Sequence, residues 1–512
     1  MRGSLINLMK NEAKRRKLPE LFLSKKLNLL QVSLLIGVII AISILVYSPH
    51  FYTPFPTSMD EWHAIQQAIS ISNKAYPLGN FELGFDFFLY LLGRFVNLIF
   101  AYQFFPAIWA VISALVLFVT VYNFTDRNFP VSLLSAVFFG AIRSDQNLTG
   151  LWFFTALSFS IPFIFLYMFF FAKGLKEQKS KYILISLGIM IFLVFVHAIS
   201  VLFAVPILVI SCLFNIKFVK KKYQAFLLFL LIPLLGLVFY SIVLKTSLAE
   251  SFLGAIKLVQ FGSNWAGELV PTINNSFTEI YPIIGYVLAA IGILSIVLKK
   301  RKDLALYAVW PIYLFASIIF YKITGVSYLA PVQRNFYYLA IGLPFVSATG
   351  AIYIFESLFK LANKIRHSGR FNQKSVKKIL GVILSVSLAA TILVPYSHYF
   401  PLNPTVMIKY PNYLDLKFLS NFPYGRIIVP PVIVPVTQVI SGKVPLGDYF
   451  SGANAAEVNA VDSFYNGNNC TLQESIIKEY NISYVLSGTP INCNYTAILS
   501  NPYDTIYYFK QK

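Results

Sequence analysis

Apolar runs separated by short polar segments fill the sequence from about residue 29 to about residue 400. Runs of about 20 residues are typical of helices that cross a bilayer. Placing one helix on each run gives eleven crossings, at residues 29–47, 100–122, 128–142, 151–172, 182–197, 199–216, 224–245, 279–298, 304–321, 335–355 and 379–396. The pattern predicts a polytopic α-helical membrane protein, with residues 29–400 as its transmembrane domain.

The first apolar run follows a basic segment, residues 1–28, and no small-residue cleavage pattern comes after it. We interpret this run as a retained signal anchor rather than a cleaved signal peptide. Residues 1–28 are then cytoplasmic, and an odd number of crossings places the C-terminus outside.

This topology decides two ambiguous stretches. Residues 182–216 lie between two lysine clusters and would form one helix of about 52 Å, too long for a hydrocarbon core of about 30 Å. We predict two shorter helices that meet near His197 at the outer surface.

Residues 81–95 contain Glu82 and Asp86, and such charges are costly in lipid. We predict a helix lying along the outer face, so that residues 48–99 form one external loop.

The sequence changes character after residue 400. Residues 401–512 are richer in polar residues and turn signals; GRIIV, ISYVLSG and TIYYF are typical of strands, and LQESIIKEY of a helix. We predict a small extracytoplasmic α/β domain. Cys470 and Cys493 both lie in it, and the sequence leaves open whether they form a disulfide or stay as free thiols.

Composition and charge support a membrane protein. The chain is 57% hydrophobic and 12% charged, with a mean hydropathy of +0.67, which is outside the usual range of soluble proteins. In the predicted topology, 28 of the 42 Lys and Arg residues but only 6 of the 21 Asp and Glu residues lie on the cytoplasmic side. The net charge of +21 therefore follows the positive-inside rule, and we predict no nucleic-acid partner.

The stretch SMDEWHAIQQAIS opens the external loop with two adjacent carboxylates. Ser58 and Glu61 have the spacing of a capping box, which accounts for Glu61 but not for Asp60. Trp62, Ile65 and Ile69 share one face of the predicted helix, and we expect this face to lie against the membrane. Asp60 is then either a favourable charge at a helix start or an active-site carboxylate at the membrane surface.

The order of these features resembles the GT-C glycosyltransferases, which use polyprenyl-phosphate sugars. In that superfamily, too, a cytoplasmic N-terminus and one helix precede an external loop that opens with Asp-Glu. AIRSDQN at 141–147 is similar to its second acidic loop, LVFVHAISVLFAVP at 193–206 to a His-containing turn of archaeal members, and VQRNFYYLAIGLPFVSATGA at 332–351 to a late helix that begins with Arg. The Trp-Trp-Asp motif of oligosaccharyltransferases is absent from the sequence, which favours transfer of a single sugar.

The resemblance implies a multi-pass enzyme of the cell membrane, a hexosyltransferase with its active site on the extracytoplasmic face. Its donor would be a sugar on a polyprenyl (dolichyl) phosphate, and its acceptor a glycan, a lipid-linked group or a protein. Asp60 would be the general base, with Glu61 as its helper or as a cap. Arg334 would hold the donor phosphate, since a guanidinium contacts two phosphate oxygens at once; a snorkelling anchor at a helix end is the alternative.

Five further residues are candidates for substrate binding. Asp145 would belong to the second acidic loop, and Arg143 beside it is either a binding cation or a local ion-pair partner. His63 would assist proton transfer or serve as an interfacial polar residue. His197 would contact phosphate or cap its helix, and Lys322 adds a cation in an external loop.

No group of residues has the spacing of a metal site, and no cofactor is predicted; a divalent cation is left open because some related enzymes use one. The main alternative function is a lipid or solute transporter or flippase, which would need polar or broken helices at the bilayer midplane. The apolar runs after residue 100 are instead almost free of charges at their centres, and the acids collect at the outer edge. A non-catalytic scaffold of the cell envelope is a third interpretation.

Overall fold

The structure is a computed structural model of the 512-residue chain. It describes residues 27–72, 82–144, 150–245, 247–250, 260–261, 276–365, 408–447, 455–467, 469–488, 491 and 493–510.

The part before residue 365 is mostly helical. Among the described residues, six helical stretches are long and apolar enough to cross a membrane, and they lie at Leu29–Phe51, Leu98–Phe124, Ala156–Glu177, Ser180–His197, Lys302–Thr324 and Val332–Leu361. Shorter apolar helices lie at Leu83–Gly93, Phe129–Gly140, Ile199–Phe214 and Ile283–Leu298. A multi-pass protein is therefore supported. The count of eleven crossings stays a prediction, and its last crossing, 379–396, lies outside the described residues.

The remaining elements of this part are short. Further helices lie at Met59–Ser72, Ile216–Lys221, Tyr223–Leu227, Leu231–Leu244 and Phe277–Ile280. Two strands, β1 (Gln260–Phe261) and β2 (Ser327–Tyr328), pair with each other in antiparallel fashion.

A break interrupts the apolar stretch between the two lysine clusters where the sequence predicts it. One helix ends at His197, a single turn follows at Ile199–Leu202, and a new helix runs from Val205 to Phe214. Pro206 lies in the first turn of the new helix. Backbone N–H groups at this position have no partner within the helix, so a proline there costs no helical hydrogen bond. The break therefore leaves His197 at the end of an apolar helix.

Helices Ile283–Leu298 and Val332–Ile365 approach each other closely at two glycines. A Cβ atom at Gly292 would lie 1.9 Å from the carbonyl oxygen of Val346, and one at Gly350 would lie equally close to a carbonyl of the first helix. Small residues of this kind are typical of closely packed membrane helices. The contact fixes the helix whose first turn carries Arg334.

Two helices of the external loop, Met59–Ser72 and Leu83–Gly93, pack against each other. The 11 residues of Leu83–Gly93 span about 16 Å, which is too short to cross a hydrocarbon core of about 30 Å. This length agrees with the predicted helix that does not span the membrane. Of the three residues expected to face the membrane, Ile69 is 39% exposed, but the expectation is wrong for Trp62 and Ile65. Both are buried inside the protein, because Met59–Ser72 also packs against the C-terminal helix Val434–Ser441.

The C-terminal part is an α/β unit with a five-stranded sheet. Its strands are β3 (Arg426–Ile428), β4 (Val444–Pro445), β5 (Ile482–Ser487), β6 (Ala497–Ser500) and β7 (Thr505–Tyr508), in the order β4-β3-β5-β7-β6. Strand β3 is parallel to β4 and β5, and β7 is antiparallel to β5 and β6. The three strands predicted from the sequence are β3, β5 and β7.

Helices cover both faces of this sheet, and every residue of β5 is buried between them. Tyr410–Leu419 and Val434–Ser441 belong to the main hydrophobic core, which continues into the membrane helices. Ala455–Asn466 and Cys470–Glu479 pack on a second core at the other face. One face of the sheet therefore points towards the helical part of the molecule and the other away from it.

Two contacts fasten the C-terminal unit. A disulfide joins Cys470 to Cys493, which settles the alternative that the sequence left open. The side-chain amide of Gln66, in the external-loop helix, donates a hydrogen bond to the side-chain oxygen of Gln438. The third cysteine, Cys212, is a half-buried free thiol.

Candidate active site

Glu61 is held by three backbone amides at the start of helix Met59–Ser72. One carboxylate oxygen accepts hydrogen bonds from the amides of Thr57, at 2.9 Å, and Ser58, at 3.1 Å. The other oxygen accepts a hydrogen bond of 2.7 Å from the amide of Phe154. The predicted capping contact between Ser58 and Glu61 is thus present. The same carboxylate also fastens the loop to a segment 93 residues away.

The Glu61 side chain is fully buried, and this burial raises its pKa to about 7. The three amide hydrogen bonds lower the pKa, because they stabilise the ionised form, and the neighbouring charge of Asp60 raises it. Both oxygens of Glu61 face backbone amides, an arrangement that suits a structural role.

Asp60 has different surroundings from its neighbour. It is half-buried, and its backbone amide donates a hydrogen bond of 3.2 Å to the hydroxyl of Ser58. Its negative charge acts on the carboxyl groups of Glu61 and Glu82. Asp60 therefore lies at the edge of an acidic cluster, with part of its surface open.

Glu82 and Asp86 extend this acidic cluster from helix Leu83–Gly93. Asp86 is buried, whereas the side chain of Glu82, just before the helix, is 42% exposed. Desolvation raises the pKa of Glu82 to about 8; the charges of Asp86 and Asp60 also raise it, and that of Arg334 lowers it.

A polar network joins the acidic cluster to the membrane helices. The Nε2 atom of His197 lies 3.8 Å from the Glu82 carboxylate, and its Nδ1 atom lies 2.8 Å from the hydroxyl of Ser200. That hydroxyl lies 2.7 Å from the Ser160 hydroxyl and 3.1 Å from the Tyr338 hydroxyl. His197 contacts the side chain of Ser200 rather than a backbone group, so this contact is not a helix cap, and its other nitrogen faces the cluster.

Arg334 lies in the first turn of helix Val332–Ile365 and is half-buried. Its positive charge acts on Glu82 and on His197. Glu82 is thus within electrostatic range of both Asp60 and Arg334. The structure brings these two predicted site residues into one region, with Glu82 as the residue that relates them.

His63 lies one turn beyond the acidic pair. Its ring nitrogens lie 3.2 Å from the side-chain oxygen of Gln66 and 3.3 Å from the side-chain nitrogen of Gln67. Since Gln66 also contacts Gln438, His63 belongs to a polar group between the loop helix and the C-terminal unit.

Arg143 and Lys322 have defined contacts elsewhere. The Arg143 guanidinium donates a hydrogen bond of 2.6 Å to the carbonyl of Thr278, and its amide donates one to Ile280. Lys322 lies in the last turn of helix Ala305–Thr324, not in the loop after it, because this helix continues beyond the apolar run. Asp145 lies outside the described residues.

Glu82 and Asp86 are absent from the residues that the sequence predicts for the site. A signal for them exists in the sequence, since two acids four residues apart interrupt an apolar segment and would share one face of a helix. That signal indicates a functional position, but it does not identify His197 or Arg334 as partners. These come from helices more than 100 residues further along the chain.

Within the ranges that the structure describes, no group of three or more His, Cys, Asp or Glu residues is placed to hold a metal ion. Carboxylates such as Asp60 and Glu82 are suitable oxygen ligands for a divalent cation, and magnesium can combine such ligands with water and phosphate oxygens.

Comparison with solved structures finds the same fold in archaeal oligosaccharyltransferases. AglB from Archaeoglobus fulgidus, in complex with an inhibitory peptide and a dolichol-phosphate, matches with a TM-score of 0.53 at 12% identity, over 90% of this chain and 69% of that chain. The Archaeoglobus fulgidus oligosaccharyltransferase in complex with Zn and sulfate matches with a TM-score of 0.51 at 13% identity, over 88% and 68% of the two chains.

ArnT from Cupriavidus metallidurans, bound to undecaprenyl phosphate, gives a TM-score of 0.46 at 10% identity, over 92% of this chain and 97% of that chain. No protein-family model and no curated protein sequence matches the chain. The resemblance inferred from the order of the sequence motifs is confirmed at the level of the fold, and the chain has the fold of the GT-C glycosyltransferases.

Proposed function

We propose that this protein is a membrane glycosyltransferase that moves a single sugar, a hexose, from a polyprenyl phosphate to an acceptor on the extracytoplasmic face. The observation that carries the proposal is the position of Glu82, within electrostatic range of both Asp60 and Arg334, in a GT-C fold. An acidic group and a cation in one region are what transfer from a lipid phosphate requires. A relative of this fold is bound to a dolichol-phosphate, which supports a donor of that class.

Asp60 is the proposed general base. The acceptor hydroxyl or amide attacks the anomeric carbon, its proton passes to the Asp60 carboxylate, and the bond between that carbon and the phosphate oxygen breaks. Asp60 suits this role better than Glu61, because it is only half-buried and its neighbour's oxygens are engaged by backbone amides.

Arg334 is the proposed partner of the departing phosphate. The lipid phosphate gains negative charge as the bond breaks, and a guanidinium that contacts two of its oxygens stabilises this charge. Glu82 supports the arrangement, since its carboxyl group and the Arg334 guanidinium lie within electrostatic range of each other.

Four residues are secondary candidates. His63 and Asp145 are proposed contacts of the acceptor or the sugar, and Arg143 and Lys322 are proposed cations around the donor. His197, between Glu82 and Ser200, is a proposed positioning residue. We derive no step through a metal ion, because the described residues provide no site with three ligands.

The test is sugar transfer by the purified protein in proteoliposomes. The donor is dolichyl phosphate with a radiolabelled hexose, presented with glycan, lipid and peptide acceptors. The proposal expects label joined covalently to an acceptor and an equal amount of free dolichyl phosphate. Movement of intact donor between the leaflets, without cleavage, would instead identify a transporter or flippase.

A further inference from the structure

The helix Tyr410–Leu419 exposes an apolar stripe. Tyr410, Leu414 and Phe418 follow each other at intervals of four residues and are 55%, 47% and 38% exposed. Residues spaced in this way lie on one side of a helix. Tyr424, shortly after the helix, is also exposed.

The opposite side of the same helix is apolar as well. Tyr413, Leu416 and Leu419 are buried in the main core. A helix that covers a water-soluble domain has one apolar face and one polar face, whereas this helix has two apolar faces. The second apolar face needs a partner other than water.

The charged residues in and beside this helix differ in exposure: the acid is buried and the lysines are exposed. Its acid, Asp415, is buried and accepts hydrogen bonds of 3.0 and 2.9 Å from the side chain of Asn501. Lys417 is exposed beside the stripe, and Lys409 is exposed just before the helix. The outward side therefore combines apolar residues with positive charge.

The helix also lies beside the ends of two candidate membrane helices. The ring of Tyr413 is 5.0 Å from that of Phe55, which follows the first candidate span, and 5.6 Å from that of Phe100, at the start of Leu98–Phe124. The ring of Tyr410 lies 6.2 Å from Phe55. The exposed stripe is thus close to the level at which these spans end.

The same ends carry other exposed aromatic residues. Phe51, Tyr52 and Phe104 are exposed, and the ring of Phe104 stacks on that of Tyr47. Aromatic side chains of this kind are typical of the boundary between lipid tails and headgroups. The stripe on Tyr410–Leu419 continues this aromatic belt onto the C-terminal unit.

We propose that the helix Tyr410–Leu419 lies in the outer membrane interface, with its stripe in the lipid and Lys409 and Lys417 at lipid phosphates. The occupant of the stripe is the lipid bilayer, because the aromatic belt continues onto it and the flanking charges complement anionic headgroups. This contact fixes the distance of the C-terminal unit from the membrane. The inference is independent of the proposed enzymatic activity.

The test uses spin labels on the full chain, reconstituted in vesicles of phosphatidylcholine and phosphatidylglycerol. Leu414→Cys and Phe418→Cys are made in a Cys212→Ala background and labelled at the new thiol. Collisions of the label with oxygen, which concentrates in lipid, are compared with collisions with a water-soluble nickel complex. We expect both labels to collide mainly with oxygen.

The matched control is Ser475→Cys, an exposed position on helix Cys470–Glu479 at the other face of the sheet. Its label is expected to collide mainly with nickel. Nickel access at Leu414→Cys and Phe418→Cys equal to that of the control would overturn the proposal. Labels that are immobile and shielded from both reagents would also overturn it, since they would show a protein partner on the stripe.

Discussion

The carboxylate of Glu61 accepts a hydrogen bond of 2.7 Å from the backbone amide of Phe154. With the amides of Thr57 and Ser58 on its other oxygen, the buried Glu61 side chain connects three backbone donors. Adjacent acids in the sequence thus have separate tasks. Glu61 holds the loop together, and Asp60 is the proposed general base.

Replacing Glu61 with alanine is expected to destabilise the protein strongly. Three buried amides lose their acceptor, and the cost is on the order of 3 kcal/mol or more. Thermal unfolding of the purified protein in detergent measures the effect as a lower Tm. Asp60→Ala is the matched control, since it removes a carboxylate only one residue away, and it is expected to leave Tm almost unchanged. Equal losses in the two variants would contradict the division of roles.

The raised pKa of Glu61 predicts a pH dependence of stability. Burial raises this pKa from 4.5 to about 7, so the folded state holds the proton more tightly than the unfolded state. The resulting contribution is fully present below about pH 4.5 and is lost as the pH rises through about 7, with a size on the order of 3 kcal/mol. Glu61→Gln cannot ionise. The wild type is therefore expected to lose more stability than Glu61→Gln between about pH 5 and about pH 8. Parallel curves of stability against pH for the two proteins would contradict the raised pKa of Glu61.

Glu82 predicts a pH dependence of activity. Its pKa of about 8 means that it becomes negative in mildly alkaline solution, where it competes with the donor phosphate for Arg334. The KM for the lipid-phosphate donor is expected to rise above about pH 8 in the wild type and to stay flat in Glu82→Gln. Glu474→Gln, an exposed acid of the C-terminal unit, is the control and should follow the wild type. A wild-type rise that persists in Glu82→Gln would contradict this role.

The close helix contact predicts a strong effect of one methyl group. Gly350→Ala would place a Cβ atom 1.9 Å from the carbonyl oxygen of Leu288, so the two helices must move apart. We expect a loss of about 1–3 kcal/mol, seen as a Tm lower by several degrees. Gly188→Ala is the matched control, because nothing lies within 4 Å of its added Cβ atom. A Tm equal to the control's would contradict the described packing.

Much of the fold follows from local signals in the sequence. The length of an apolar run and the charges at its ends do not depend on distant residues, so they predict the candidate spans, the break at His197 and the short helix Leu83–Gly93. Alternating apolar residues predict β3, β5 and β7 for the same reason.

What covers an apolar face is not a local property. The spacing of Trp62, Ile65 and Ile69 identifies one apolar face of a helix, but the cover of Trp62 and Ile65 is protein rather than lipid. It includes the helix Val434–Ser441, which lies more than 360 residues further along the chain. A single sequence contains no signal that pairs these segments.

For the candidate site, too, the sequence identifies some residues but not the contacts between them. Asp60 and Arg334 can be named from the order of motifs, because that order is a property of the chain. The position of Glu82 near both of them depends on how the external loop folds over the helix ends, which only the structure provides. His197 is singled out by its place in an apolar run, but its contact with Glu82 is likewise a result of the tertiary fold.

The most direct measurement is the turnover of Asp60→Asn in proteoliposomes that contain the labelled dolichyl-phosphate donor. This variant keeps the shape of the side chain and loses its basicity, so kcat is expected to fall at least about a hundredfold, with donor KM and Tm close to those of the wild type. Asp462→Asn, at an exposed acid of the C-terminal unit, is expected to retain full turnover. Wild-type turnover by Asp60→Asn would contradict the account of this protein as a glycosyltransferase with Asp60 as its base.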